Sequence, residues 1–211
     1  MQKILILLST YNGETYLKAQ LDSLLSQSYK NFRLIVRDDG STDGTKEILS
    51  SYDIEMLSSN ENLGVKKSFE TLLKYACENS DAEYFMFCDQ DDFWNGDKIE
   101  LTLQKMQELE KLYGYNTPLL VHTDLEVVNE NLETLSSSMW RSEYINPSAN
   151  TLNKLLIQNT ITGCTMMINR TLAMKSLSIS SKAIMHDWWI ALVVGAFGKI
   201  GFIEEATMKY R

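Results

Sequence analysis

The sequence predicts an α/β fold: a single domain with a mainly parallel sheet flanked by helices. Three observations carry that expectation. Short apolar runs alternate with helix-length amphipathic segments through the first half of the chain. Polar clusters follow directly on those runs, where open α/β sheets bind their ligands. With 2 Pro in 211 residues and no low-complexity linker, nothing marks a domain boundary or a repeat.

Residues 3–8 are a continuous apolar run of strand length. Residues 14–27 then space Tyr16 or Leu17, Leu21, Leu24 and Leu25 about one helical turn apart. The next strand is 32–36, and Asp43 stands where a cap would start a helix running to about Ser50. A short strand at 54–57 precedes a helix at 65–77, with Phe69, Leu72, Leu73 and Ala76 on one face. Residues 84–88 form another strand, and 97–112 a long amphipathic helix. Strands separated in this way imply right-handed parallel crossovers.

After Gly114 the pattern loosens. Strands are expected at 119–122, continued by 125–128, and at 165–168 and 200–203; helices at 151–158, 171–177 and 185–196. The Ser-, Asn- and Pro147-containing stretch 136–150 reads as a loop bearing exposed aromatics, and His122 as a core histidine.

Composition sets the outer bounds. A net charge of −8 argues against a nucleic-acid partner, which requires clustered Lys and Arg. Cys77, Cys88 and Cys164 are odd in number and show no metal-type spacing, so a disulfide framework is not expected and a reduced, cytoplasmic setting is. The apolar runs at 4–8 and 190–197 fall short of the roughly 18 residues that span a bilayer. A secretory leader at the start is disfavoured by the polar residues 9–13. Neither heptads nor a symmetric motif indicates an oligomeric state.

The chemistry concentrates in the turns after the strands. Asp38-Asp39-Gly40-Ser41-Thr42-Asp43 reads equally as a turn with a helix cap or as a ligand loop. Asp89-Gln90-Asp91-Asp92 puts three carboxylates into four residues directly after an apolar strand, where they repel one another unless a cation is bound. Carboxylates suit Mg²⁺ or Mn²⁺, and such an ion would hold a diphosphate against an acidic protein. A phosphate loop and a dinucleotide fingerprint are both absent from the sequence.

Five segments, in order, make the chain similar to the family 2 glycosyltransferases: Ser9-Thr10-Tyr11-Asn12-Gly13, Ser26-Gln27-Ser28-Tyr29, the run from Arg37 to Thr45, Asn62-Leu63-Gly64-Val65, and Asp89-Gln90-Asp91-Asp92-Phe93-Trp94. Thr123-Asp124-Leu125, Thr162-Gly163-Cys164-Thr165 and His186-Asp187-Trp188-Trp189 further resemble bacterial rhamnosyltransferases of the streptococcal type, which build cell-wall polysaccharides from dTDP-L-rhamnose. The resemblance implies the nucleotide-sugar-binding fold called GT-A, Rossmann-like and mainly parallel. It implies a nucleotide-sugar-binding half over about 1–115 and an acceptor-binding half over about 116–211, the acceptor being a glycan, lipid-linked oligosaccharide or glycoprotein.

It also implies roles. Thr10, Tyr11 and Asn12 would line the base and ribose pocket, Asp39 would accept the N3–H of uracil or thymine, and Asp89 would hold the ribose. Asp91, with Asp89 beside it, would ligate Mg²⁺ or Mn²⁺. Lys66 or Lys67 would approach the phosphates, or both are solvated. Trp94 and Trp188 would be sugar or acceptor walls, or core. Asp187 would take the proton of the acceptor hydroxyl in an inverting displacement, against the plainer reading of a helix N-cap. His186 would tune it or merely border it, and Gly163 lies on the acceptor side. Family members continue past the equivalent of Tyr210-Arg211, so a further segment is expected, one that carries the membrane-facing surface. The alternatives to a rhamnosyl enzyme are a UDP-hexose transferase, a nucleotidyltransferase and a non-catalytic nucleotide-binding partner subunit.

Overall fold

The computed structural model describes residues 4–57 and 61–211. The chain runs β1 (Ile4–Thr10), α1 (Leu17–Leu25), β2 (Phe32–Asp38), α2 (Thr45–Ser50), β3 (Glu55–Met56), α3 (Val65–Asn79), β4 (Tyr84–Cys88), β5 (Phe93–Trp94) and α4 (Lys98–Tyr113). Its second half is β6 (Leu119–Val128), β7 (Thr134–Ser136), α5 (Met139–Ser142), α6 (Leu152–Leu155), a 3₁₀ turn (Gly163–Thr165), β8 (Met167–Asn169), α7 (Arg170–Ser176), α8 (His186–Phe197) and β9 (Lys199–Tyr210). Residue 3, the first of the expected opening strand, lies outside the described residues.

One mixed sheet takes the order β3-β2-β1-β4-β8-β6-β9-β5, with β7 paired to β6. β1, β2, β3 and β4 run parallel, as do β6 and β9, and β8 joins these two blocks antiparallel to both. The expected mainly parallel α/β sheet is the one observed.

The period-2 geometry of a strand divides the interior in two. Ile4, Ile6 and Leu8 of β1, with Tyr84 and Met86 of β4, pack against Leu17, Leu21 and Leu24 of α1 and Ile99, Leu103 and Met106 of α4. Leu5, Leu7, Phe85 and Phe87 point the other way, onto Phe69, Leu72 and Leu73 of α3 and Ile190, Ala191 and Val194 of α8. A strand buried on both faces has no polar positions, which is why these runs are continuously apolar.

Several expectations need correcting. The strand expected at 200–203 is the twelve-residue β9, which continues past a register shift beside Asp124. Within 136–150, α5 forms and Trp140 is buried, while Tyr144 is exposed as expected. The strand at 165–168 begins instead as a 3₁₀ turn, and the helix at 151–158 is limited to α6. β5 and β7 are too short to leave a pattern of their own. The passage from α8 into β9 depends on Gly198, because a Cβ there would lie 2.0 Å from the Pro118 carbonyl oxygen.

All three cysteines are buried and unpaired, and among the described residues no helix is long and apolar enough to cross a membrane.

Candidate active site

The carboxyl ends of β1, β2 and β4 open onto a cleft of ≈ 490 Å³, whose lining includes Thr10, Tyr11, Asp39, Asp89, Asp91 and Tyr210. Its first wall is the turn after β1. Gln90 clamps that turn: its Oε1 accepts from Thr10 Oγ1 at 2.7 Å and from the Tyr11 N–H at 2.8 Å, while its Nε2 donates to the Tyr11 carbonyl at 3.2 Å. Asn12, at φ 49°, donates its N–H to Ser41 Oγ and accepts the Thr42 N–H on its side chain, both at 2.9 Å. A Cβ at Gly13 would fall 2.6 Å from Gln90 Oε1, so only glycine lets the clamp close. Tyr11 is left 47% exposed, its ring free to face a ligand.

Asp39 is almost fully buried beneath the cleft. It pairs with Arg37 and accepts the N–H groups of Leu63 at 2.9 Å and Gly64 at 2.8 Å. Gly64, at φ +76°, presents that N–H from a left-handed conformation immediately before α3. Burial pushes the Asp39 carboxyl up, but the Leu63 N–H, the Arg37 guanidinium and the Gly64 N–H outweigh it and hold the group below the usual range. Arg37 is anchored in turn by the Glu61 carbonyl at 2.9 Å and Ser68 Oγ at 3.1 Å. Each carboxylate oxygen has two lone pairs, so Asp39 retains acceptor capacity for a further N–H.

The acidic turn after β4 forms the floor. Burial, and then the neighbouring Asp91 and Asp187, raise the Asp89 carboxyl to about 7. Asp92 is completely buried with neither oxygen hydrogen-bonded, and its carboxyl is lifted well above the ordinary value by burial and by Asp89 and Asp91. Ligand atoms of Asp89, Asp92 and Cys164 all lie within 4.8 Å of one another. The group joins Asp92 and Cys164 to Asp89 and leaves out Asp91, the ligand the resemblance implied; crowded carboxylates with both Asp92 oxygens unsatisfied are donors that a divalent cation would complete. The Asp91 carbonyl accepts from Arg211, which also lines the cleft and whose guanidinium lies 4.5 Å over the Tyr16 ring.

Asp187 stands opposite, in the first turn of α8. The N-cap of that helix is Met185, so Asp187 is not the cap. Its Oδ2 accepts the Gly163 N–H at 3.1 Å, and burial lifts its carboxyl above the ordinary value despite the Trp188 and Gly163 N–H groups that lower it. Gly163 packs tightly here: a Cβ would meet His186 Nε2 at 3.0 Å and Asp187 Cβ at 3.4 Å.

The remaining expected site residues divide. His186 is buried, stacked 4.2 Å from Phe69 with neither ring nitrogen hydrogen-bonded, and burial pushes its imidazole down to about 3. Trp94 is completely buried beneath Lys98 Nζ, 4.8 Å from its ring centroid; it belongs to the core and offers the cleft no face. Trp188 is half-buried and donates Nε1–H to the Leu155 carbonyl at 2.6 Å. Lys66 is tied to the Ser181 and Ala183 carbonyls at 3.1 and 2.7 Å, which leaves the exposed Lys67 as the lysine free to reach outward.

The sequence reading assigned no part to Gln90, Arg37 or Cys164. A neutral amide between two acids was the available signal for Gln90. Cys164 gave none, because its partners lie more than seventy positions away.

A sheet of this order with a carboxylate-lined cleft at its strand ends is the GT-A architecture of sugar transferases. The chain belongs to glycosyl transferase family 2, which matches residues 5–175. It is 28% identical, over 98% of this chain and 63% of the relative, to an uncharacterized glycosyltransferase of Rickettsia typhi. It is 30% identical, over 79% of this chain and 60% of the relative, to the UDP-Glc:alpha-D-GlcNAc-diphosphoundecaprenol beta-1,3-glucosyltransferase WfgD of Escherichia coli. Its fold is similar to that of S. aureus TarS 1-349 in complex with UDP, with a TM-score of 0.72 and 20% identity over 100% of this chain and 60% of that one. The chain therefore spans about three-fifths of the length of these two relatives and of TarS 1-349.

Proposed function

We propose that the chain is the catalytic domain of a metal-dependent transferase that moves a sugar from a pyrimidine nucleoside-diphosphate donor to a glycan or lipid-linked acceptor. The observation that carries this is the meeting of Asp39, Asp89 and Asp91 in one cleft, with Asp187 near enough to Asp89 to raise its carboxyl. In this reading Tyr11 packs on the base, Asp39 accepts its N3–H, and Asp89 holds the ribose. Mg²⁺ or Mn²⁺ held by Asp91 and Asp89 would neutralise the diphosphate and the charge that grows on its leaving oxygen.

Asp187 then accepts the proton of the acceptor hydroxyl as that oxygen bonds to the anomeric carbon. The bond from that carbon to the diphosphate breaks on the opposite face, so the configuration inverts. Burial of Asp187 strengthens it as a base. Gly163 holds the carboxylate in position, and Trp188 forms part of the acceptor side.

The rhamnosyl likeness in the sequence favours dTDP-L-rhamnose, whereas WfgD is named for a UDP-sugar and TarS is seen with UDP. A UDP-hexose is therefore placed first and dTDP-rhamnose second. An acceptor on a lipid diphosphate is favoured by the acceptor for which WfgD is named.

The test is thermal stabilisation by UDP and by dTDP, each with and without Mn²⁺, on the chain and on Asp91→Ala. A ligand at about 100 times its dissociation constant adds about 2.7 kcal/mol. A Mn²⁺-dependent response that is lost in Asp91→Ala supports the site, and the stronger nucleotide identifies the donor. Asp187→Asn should retain that response and lose roughly 10²–10⁴-fold in turnover. A folded chain that responds to neither nucleotide overturns the proposal.

A further inference from the structure

Charge is unevenly distributed along this chain. Residues 150–203 carry Lys154, Arg170, Lys175, Lys182 and Lys199 against Asp187 alone, a net charge of +4 in a protein whose total is −8. The four lysines are all exposed. The same quarter of the chain supplies six of the fifteen exposed large apolar side chains among the described residues: Leu152, Leu156, Ile157, Met174, Ile184 and Phe197.

All but Lys199, which opens β9 with its Nζ 5.6 Å over the Tyr113 ring of α4 on the other face of the sheet, belong to one layer. α8 lies in the middle, its inner side packed on the sheet through Ile190, Ala191 and Val194. α6 flanks it where Trp188 bonds the Leu155 carbonyl and where a Cβ on Gly195 would meet Leu155 at 3.0 Å and Leu152 at 3.4 Å. α7 flanks the other side, where Trp189 Nε1 donates to the Ser176 carbonyl at 3.1 Å and Lys175 Nζ sits 5.6 Å over the Phe197 ring. The 181–183 loop is pinned to α3 by Lys66, which keeps Ile184 and Lys182 at the edge of this layer beside Asp187.

Side chains such as Ile157, 83% exposed, and Phe197 and Ile184, at 67% and 69%, gain nothing from water. Apolar groups ringed by lysines are the composition of a surface that lies on an anionic bilayer, where the apolar groups enter the headgroup boundary and the lysines meet the lipid charge. We propose that the α6–α8–α7 layer docks on an anionic membrane surface, with Ile157, Leu156, Ile184 and Phe197 entering it and Lys154, Lys175 and Lys182 facing the headgroups. The acidic remainder of the protein would be repelled by the same lipids, so the charge pattern also sets the orientation. That orientation brings the first turn of α8 to the lipid face. The inference stands on this surface alone and does not depend on the transferase reading.

Sedimentation with vesicles tests it, using phosphatidylcholine alone and phosphatidylcholine mixed with phosphatidylglycerol, at low and high salt. The chain should bind the anionic vesicles, bind the neutral ones far less, and be released by salt. Lys154→Gln with Lys182→Gln should weaken binding about 25-fold, about fivefold for each lysine. Leu156→Ser with Ile157→Ser should weaken it as well, and Lys111→Gln with Leu112→Ser on α4 should leave it unchanged. All six of these positions are exposed, and an unaltered thermal midpoint confirms folding. Absence of binding by the folded chain, or binding indifferent to both variants of the layer, overturns the proposal. So does a concentration-dependent dimer abolished by Leu156→Ser with Ile157→Ser, which would assign the face to a second copy.

Discussion

His122 lies on β6 with no exposed surface, between the rings of Trp140 at 5.3 Å and Phe202 at 6.3 Å, and neither of its nitrogens is hydrogen-bonded. Burial pushes its imidazole down to about 3. In the unfolded chain it returns to about 6.5. Between those two values the unfolded state binds the proton and the folded state refuses it, so stability falls as pH falls through this window and is level above it. At pH 7 the penalty is about 0.2 kcal/mol; at pH 5 it is about 2 kcal/mol. His122→Leu removes the titrating group and two unsatisfied nitrogens at similar volume, so the variant should be at least as stable as the parent at pH 7. Asp89, raised to about 7, acts in the opposite sense and stabilises the fold on acidification, so the whole-protein profile mixes the two. The difference between variant and parent isolates His122. Urea unfolding of both at pH 7 and pH 5 should show the gap widening by about 2 kcal/mol in favour of the variant, at equal m-values. Parallel profiles would refute the reasoning, since they would mean that the imidazole takes up its proton in the folded state.

Other substitutions probe separate parts of the argument. Gly198→Ala drives a Cβ into the Pro118 carbonyl and should cost about 3 kcal/mol or more, measured by chemical denaturation; a neutral result would show that the α8–β9 passage can shift. Asp39→Asn leaves the Arg37 guanidinium buried without its carboxylate and should cost about 3–5 kcal/mol at pH 7. Because the Asp39 carboxyl is held below its usual range, the parent loses this contribution as pH falls through the folded value, so the two chains should converge in stability in acid. Gln90→Leu removes the three bonds on the β1 turn and should weaken nucleotide binding about tenfold by calorimetry, with little change in midpoint.

The parallel half of the fold was legible because its signals are local. β4 occupies the residues 84–88 read from the sequence, and α3 begins at Val65, where the sequence placed its start. A strand covered on both sides must be apolar throughout, and that leaves little ambiguity over length. β9 was read as four residues because its outer portion alternates with Glu204 and Glu205 and depends on β6 for its pairing. The same division holds at the site. Asp89 and Asp91 are neighbours in the chain and could be seen together, whereas Cys164 joins Asp89 and Asp92 only through the sheet order that places β8 beside β4. Trp94 looked like a sugar wall because it follows the acidic turn. Its two-residue strand pairs with β9, and that pairing turns the indole inward beneath Lys98. Lys66 and Lys67 could not be told apart in sequence, yet one position along a helix turns a side chain by about 100°, enough to send one to the 181–183 loop and the other to solvent.

The two cores on either side of β1 make that strand a partition between two duties. Residues of one parity set the seating of α1 and α4, the helices behind the acidic turn. Residues of the other parity set α3 and α8, and with them the position of Asp187. Adjacent letters of the sequence, such as Leu7 and Leu8, therefore answer to different halves of the chemistry, and a change of volume at one is absorbed in a layer that the other never touches. Drift in volume on the α8 side can accumulate without disturbing the α1 and α4 side, so the packing around Asp187 can change while the seating of the acidic turn is kept.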